Sequence, residues 1–151
     1  MKNILILLAL LTTIYSCTKE TDDMVTKLEY TGKWKLVKMT SPANGSESTG
    51  PDMAWQETYI INEDETFVKT RVRGDSTTIA SGTYALKDVA GLWNMGIATK
   101  DIELFFDIEN NIIANCYSTR KIEYLYFSSD HRLISTWHTC DGPGLEYVKS
   151  K

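Results

Sequence analysis

The sequence predicts an all-β domain built from antiparallel strands. Apolar side chains recur at every second position through most of the chain, the runs are rich in Tyr, Trp, Ile, Val and Thr, and tight polar turns separate them. Asp101–Ile108 is the clearest case, because Ile102, Leu104 and Phe106 share one face. Short strands joined by short turns are typical of an antiparallel meander rather than of βαβ units.

The elements follow in chain order. A short helix is predicted at Met24–Tyr30, too short to be stable alone. Strands are predicted at Lys33–Met39, Trp55–Ile61, Thr66–Arg73, Thr77–Leu86, Asp101–Ile108, Ile112–Ser118, Lys121–Phe127, Leu133–His138 and Leu145–Lys149. Turns are predicted at Asn62–Glu65, Arg73–Ser76, Asn110–Asn111, Ser129–His131 and Asp141–Gly144.

Two stretches lack this periodicity. Thr40–Asp52 is polar, contains Pro and Gly, and is expected to be a mobile loop after the first strand. Lys87–Thr99 carries Leu92, Trp93 and Met95 among glycines. These apolar side chains either pack on the body of the domain or form a contact surface for a partner.

The first seventeen residues have the pattern of an export signal. Lys2 precedes an apolar run, Ile4–Leu11, that is too short to span a bilayer permanently. The sequence Ile14-Tyr15-Ser16-Cys17 resembles the lipobox of bacterial lipoproteins, with Cys17 as the lipid acceptor. The resemblance implies that residues 1–16 are removed and that Cys17 carries a diacylglyceryl group and an amide-linked fatty acid such as palmitate. An ordinary secretory signal with another cleavage site is the alternative.

Residues 17–23 are predicted to be a charged tether, because residues 18–23 have no apolar side chain that folding could bury. Its Lys19-Glu20 pair and Asp22-Asp23 look like the signal that routes some lipoproteins through the outer membrane to the cell surface; a plain solvated linker is the equal alternative. We therefore expect an outer-membrane, lipid-anchored protein on the periplasmic or the cell-surface face. The formal net charge of −4 gives no basic stripe for nucleic acid.

Two further cysteines, Cys116 and Cys140, lie in the folded part. Since the compartment beyond the inner membrane is oxidising, a structural disulfide between them is the simplest interpretation. The alternative is a metal site, because His138 and Cys140 fall on the same side of an extended segment. Only His131 is left to complete such a ligand set, so no metal is expected.

A short helix, then Gly32-Lys33-Trp34, then an antiparallel meander resembles the lipocalin-like lipoproteins across residues 24–151. The resemblance implies an up-and-down eight-stranded barrel, with Trp34 packing at its closed end. The later family signatures are not evident, and Tyr147 and Lys149 stand where an arginine is usual. An eight-stranded barrel holds one small ligand or is filled by its own side chains.

Two functions fit this chain. The first is binding of a small apolar ligand inside the barrel. The aromatic residues expected to line its pocket are Trp55, Tyr59, Phe67, Tyr84, Tyr124, Tyr126 and Trp137, although core packing explains the same residues. The second is an envelope protein-interaction module with a filled barrel. No catalytic motif is present, so neither an enzymatic activity nor a cofactor is expected.

Overall fold

A computed structural model describes residues 29–88, 98–116 and 121–150. The described chain forms nine strands: β1 (Gly32–Thr40), β2 (Glu47–Thr49), β3 (Gln56–Ile61), β4 (Thr66–Arg73), β5 (Ser76–Asp88), β6 (Ala98–Phe106), β7 (Ile122–Ser128), β8 (Arg132–Ser135) and β9 (Gly144–Lys149). Two 3₁₀ turns accompany them, Gly50–Asp52 and Thr136–Cys140. None of the described helical segments is long and apolar enough to cross a membrane.

The sheet closes into a barrel. Strands β3 to β9 pair with their sequence neighbours, and β1 pairs with both β3 and β9, all antiparallel. Eight strands therefore form the barrel, and β2 adds a short extra strand beside the second half of β1. This confirms the predicted up-and-down, eight-stranded antiparallel barrel, the architecture of lipocalin-like proteins. Closure leaves no free barrel edge to recruit other chains.

Two glycines allow the tight turn after β4 and the close approach of β5 and β6. Gly74, in the predicted turn between β4 and β5, has a φ of +57°, which glycine adopts at no steric cost. Gly82 pairs with Phe106 across β5 and β6, and a Cβ at Gly82 would lie 1.9 Å from the carbonyl oxygen of Phe105. Only glycine lets these two backbones approach so closely.

Buried aromatic pairs hold the barrel walls together. Trp34, 1% exposed, packs edge-to-face against Phe127 with 5.7 Å between ring centroids. Phe67 and Phe106 meet in the same geometry at 4.9 Å. Such pairs contribute about 0.5–1.5 kcal/mol beyond the burial of their area. Trp34 therefore links β1 to β7 across the interior.

Two of the predicted strands were wrong. Ile112–Cys116, the described part of the predicted strand Ile112–Ser118, pairs with no strand. Its alternating burial has another cause: Ile112 and Ala114 are buried, and their backbone groups bond to side chains of the barrel. The predicted strand Leu133–His138 ends at Ser135, because the Ser135 hydroxyl accepts a bond from the Trp137 N–H and starts the second 3₁₀ turn.

The predicted loop Thr40–Asp52 is partly regular. Glu47–Thr49 pairs with Lys38–Thr40, and the Glu47 carboxylate lies 3.1 Å from the Lys38 ammonium. Most of the predicted helix Met24–Tyr30 lies outside the described residues; Glu29 and Tyr30 are helical. Leu92, Trp93 and Met95 also lie outside them, whereas the ends of that stretch belong to β5 and β6.

The chain divides into two compact units, Met1–Tyr30 and Thr31–Lys151. All nine strands belong to the second unit, as does the disulfide described below. This unit has its own closed sheet and its own core, which is what an independently folding domain requires.

Candidate functional site

The interior of the barrel holds a cluster of charged side chains, which we call the interior network: Glu57, Lys69, Arg71 and Glu123. They come from β3, β4 and β7, at positions that alternate with the outward residues of the same strands. The Glu57, Lys69 and Glu123 side chains are wholly buried, and that of Arg71 is 11% exposed. Two carboxylates and two cations balance, so the network carries no formal net charge.

Lys69 lies between the two carboxylates. Its ammonium is 2.8 Å from Glu123 Oε2 and 3.2 Å from Glu57 Oε1. The Arg71 guanidinium donates to the second oxygen of Glu57. Because every buried charge has an opposite partner at hydrogen-bond distance, the network avoids the large cost of an unpaired charge in a low-dielectric interior.

Two tyrosines complete the network. Tyr147 on β9 donates to Glu57 Oε1 at 2.6 Å, and Tyr59 donates to Glu123 Oε1. Burial, followed by the neighbouring carboxylates, raises the pKa of both phenols well above the usual value. Burial likewise raises the pKa of Glu123, and Lys69 opposes that effect. Both phenols therefore stay protonated and act as donors.

The segment 107–116 covers the network from one side. The Ala114 N–H donates to Glu123 Oε2 at 3.1 Å, and Arg71 donates to the Ile112 carbonyl at 3.2 Å. A disulfide joins Cys116, at the end of this segment, to Cys140 in the second 3₁₀ turn. The disulfide prediction is confirmed, and it rules out Cys140 as a thiolate ligand in this state. No group of three or more metal-ligating side chains occurs among the residues described.

The aromatic residues predicted to line one pocket do not come together. Tyr59 and Phe67 are fully buried inside the barrel, and Tyr84 is buried with its hydroxyl donating to the Asn62 carbonyl. Tyr124 and Tyr126 alternate with the buried Glu123 and Leu125, so they lie on the outer side of β7. Trp137 is half-buried in the second 3₁₀ turn.

Trp55, the remaining predicted aromatic, lines a groove at the surface, which we call the rim groove. This rim groove has a volume of about 440 Å³ and is open to solvent. It lies between the segment around the first 3₁₀ turn and the outer side of β1, β3 and β4; its lining residues are Lys35, Gly50, Pro51, Met53, Ala54, Trp55, Gln56, Val72 and Gly74. The volume falls within the range of small-molecule sites, about 300–1,000 Å³.

Trp55 connects the groove to the interior network. The Arg71 guanidinium lies 4.4 Å from the centroid of the indole ring, and the same guanidinium bonds to Glu57 and to the Ile112 carbonyl. Arg73 lies 6.0 Å from the ring. Such cation–π contacts contribute about 0.5–1 kcal/mol each at exposed sites, so they favour this orientation of the indole without locking it.

Sequence reasoning missed the interior network. A usable signal existed, because Glu57 falls in phase with Tyr59 and Ile61, and Lys69 falls in phase with Phe67. A charged residue on the apolar face of a predicted strand indicates a buried, paired charge.

Comparisons with family models, with characterised proteins and with solved structures gave no match.

Proposed function

We propose that this protein is a lipid-anchored lipoprotein of the cell envelope that binds a small apolar ligand at the rim groove. The rim groove is the observation that carries the binding part of the proposal, because Met53, Trp55 and Val72 give it an apolar wall. At the level of Lys69, by contrast, the barrel interior is occupied by the interior network and its two tyrosines. The proposal includes no catalytic step and no cofactor.

The anchoring part rests on Ile14-Tyr15-Ser16-Cys17. Two or more acyl chains on Cys17 give stable attachment, because each buried methylene contributes about 0.8 kcal/mol. Metabolic labelling with a palmitate analogue, followed by fractionation of the envelope, tests it. The Cys17→Ala chain should lose both the label and the membrane attachment, whereas Ser16→Ala, which keeps a small residue before the acceptor, should retain both. Label on the Cys17→Ala chain would refute the anchor.

The neutral fluorophore N-phenyl-1-naphthylamine tests the groove. Residues 18–151, which keep the whole compact unit Thr31–Lys151, should bind it with a fluorescence increase. Val72→Gln should weaken binding at least about fivefold, since burying part of a valine side chain is worth about 1 kcal/mol. Ile79→Gln is the matched control, because Ile79 is exposed on the neighbouring strand and does not line the groove. Equal affinity for both variants would refute binding at the groove.

A protein-interaction module is the second candidate. All outward residues of β3, β4 and β5 from Gln56 to Ala85 are uncharged, and Ile60, Val72 and Ile79 are exposed among them. Larger exposed apolar patches mark interaction sites. A photo-crosslinking residue at Ile79, compared with one at the exposed Glu109, separates the two functions. A discrete crosslinked product at Ile79 alone, with no binding of the fluorophore, would favour the module.

A further inference from the structure

We propose that the ligand of the rim groove carries one anionic group, a carboxylate, sulfonate or phosphate, in addition to the apolar aromatic or acyl body proposed above. This inference rests on the proposed function and specifies the chemistry of the same site. Three features of the groove carry it: the cations beside it, the absence of acidic side chains from its lining, and the indole N–H of Trp55.

Two cations beside the groove have no carboxylate partner among the described residues. Lys35 lines it, and Arg73 lies over the Trp55 ring. Neither forms an ion pair with any carboxylate in the described part of the chain. Lys38 on the same strand as Lys35 contrasts with them, because it pairs with both Glu47 and Glu146. An anion in the groove would therefore meet positive charge that no described carboxylate of the protein neutralises.

No acidic side chain lines the groove. Asp52 and Asp75 adjoin the lining residues Met53 and Gly74 in the sequence, and both are exposed at the surface. Exposed carboxylates outside the groove are screened by solvent and salt, so they oppose an anionic ligand only weakly. The local charge balance of the groove itself is positive, although the whole chain has a formal net charge of −4.

The Trp55 indole nitrogen is buried and has no hydrogen-bond partner. Buried donors almost always have an acceptor, and each exception calls for an explanation. Trp55 lines the groove, so an oxygen of a bound anion beside the ring supplies the missing acceptor after a small rotation of the indole. The same oxygen group then interacts with Lys35, while Met53 and Val72 contact the apolar body of the ligand.

A matched pair of probes tests the charge requirement. The first is 8-anilinonaphthalene-1-sulfonate, and the second is N-phenyl-1-naphthylamine, which has the same rings without the sulfonate. Binding is followed by fluorescence titration of residues 18–151, at 20 mM and at 300 mM salt. We expect the sulfonate to bind about fivefold or more tightly than the neutral probe at low salt. The difference should shrink at high salt, because exposed charge interactions are screened.

Three variants test whether the preference for the sulfonate probe arises at the groove. Lys35→Gln should reduce sulfonate affinity about fivefold and leave the affinity for the neutral probe unchanged. Lys33→Gln is the matched control, since Lys33 is exposed on the same side of β1 and does not line the groove. Trp55→Phe, which keeps a ring and removes the N–H, should weaken the sulfonate more than the neutral probe.

The outcomes separate the two proposals. If both probes bind equally and Lys35→Gln changes neither affinity, the anionic requirement is refuted while groove binding stands. If neither probe responds to Val72→Gln or to Trp55→Phe, groove binding itself is refuted. Binding of the sulfonate that is lost equally in Lys33→Gln and Lys35→Gln would indicate a general surface charge effect and would also refute the inference.

Discussion

Removing Lys69, the central cation of the interior network, should lower the free energy of unfolding of the protein by a large fraction. Lys69 is fully buried, and its ammonium nitrogen lies 2.8 Å from a carboxylate oxygen of Glu123 and 3.2 Å from one of Glu57. Lys69→Met keeps an unbranched side chain that is one atom shorter, leaves Glu57 paired with Arg71 and leaves Glu123 without its cation. Breaking a buried ion pair in this way costs about 3–5 kcal/mol, because an uncompensated charge remains inside.

Urea unfolding at pH 7, followed by circular dichroism, measures this cost. Lys69→Met combined with Glu123→Gln restores the charge balance, since Glu57 still pairs with Arg71. The amide oxygen can still accept the bond from the Ala114 N–H, and the amide NH2 group can donate to the Tyr59 hydroxyl oxygen. We expect the double variant to recover at least half of the loss. Lys33→Met, at an exposed position on β1, should change stability by no more than about 0.5 kcal/mol.

The stability lost in Lys69→Met should also depend on pH. Burial already raises the pKa of Glu123, and removal of Lys69 raises it further because the opposing cation is gone. A carboxyl whose pKa is higher in the folded state favours folding at low pH and loses that contribution as the pH rises. The deficit of Lys69→Met should therefore shrink between pH 7 and pH 5. The reasoning would be refuted if the free energy of unfolding of Lys69→Met lay within about 1 kcal/mol of the parent's. It would also be refuted if the double variant were no more stable than Lys69→Met alone.

Three further outcomes are expected. Serine at both Cys116 and Cys140 should lower the free energy of unfolding by about 3.5 kcal/mol, because the bridge closes a loop with a sequence separation of 24 residues; an unchanged urea midpoint would contradict this. Stability should fall as the pH rises above about 10, because the raised pKa values of Tyr59 and Tyr147 keep protons on the folded state that the unfolded state loses; the urea midpoint at pH 9 and pH 10.5 measures it, and equal midpoints would count against it. Gly82→Ala should destabilise the barrel by more than about 1 kcal/mol, since its Cβ would meet the Phe105 carbonyl; a thermal unfolding midpoint equal to the parent's would disprove the close approach.

The strands of the barrel were predictable because most inward positions are apolar and alternate with polar ones. Asp101–Ile108 shows this clearly, and the strand observed there ends only two residues earlier. The same rule failed at Ile112, whose segment is extended and buried on alternate sides but bonds to side chains instead of to a strand. Periodicity reports burial and cannot by itself report pairing.

The site was less predictable than the fold. The sequence predicts a single pocket for seven aromatic residues, yet Tyr59 lies inside the barrel, Tyr124 outside it and Trp55 at the groove. Which of these positions a ring occupies depends on strand register and on where a strand begins. The groove itself forms where the segment before β3 passes over β1 and β4, and no local sequence pattern encodes that meeting.

We propose that small-molecule binding takes place at the rim groove and not within the barrel. Heteronuclear NMR of residues 18–151 with 8-anilinonaphthalene-1-sulfonate tests it most directly. We expect the largest shifts at the Trp55 indole N–H and at the amides of Met53, Gln56, Val72 and Gly74. Shifts centred on Tyr59, Phe67 and Leu125, with the Trp55 indole unchanged, would place the ligand inside the barrel and contradict the account.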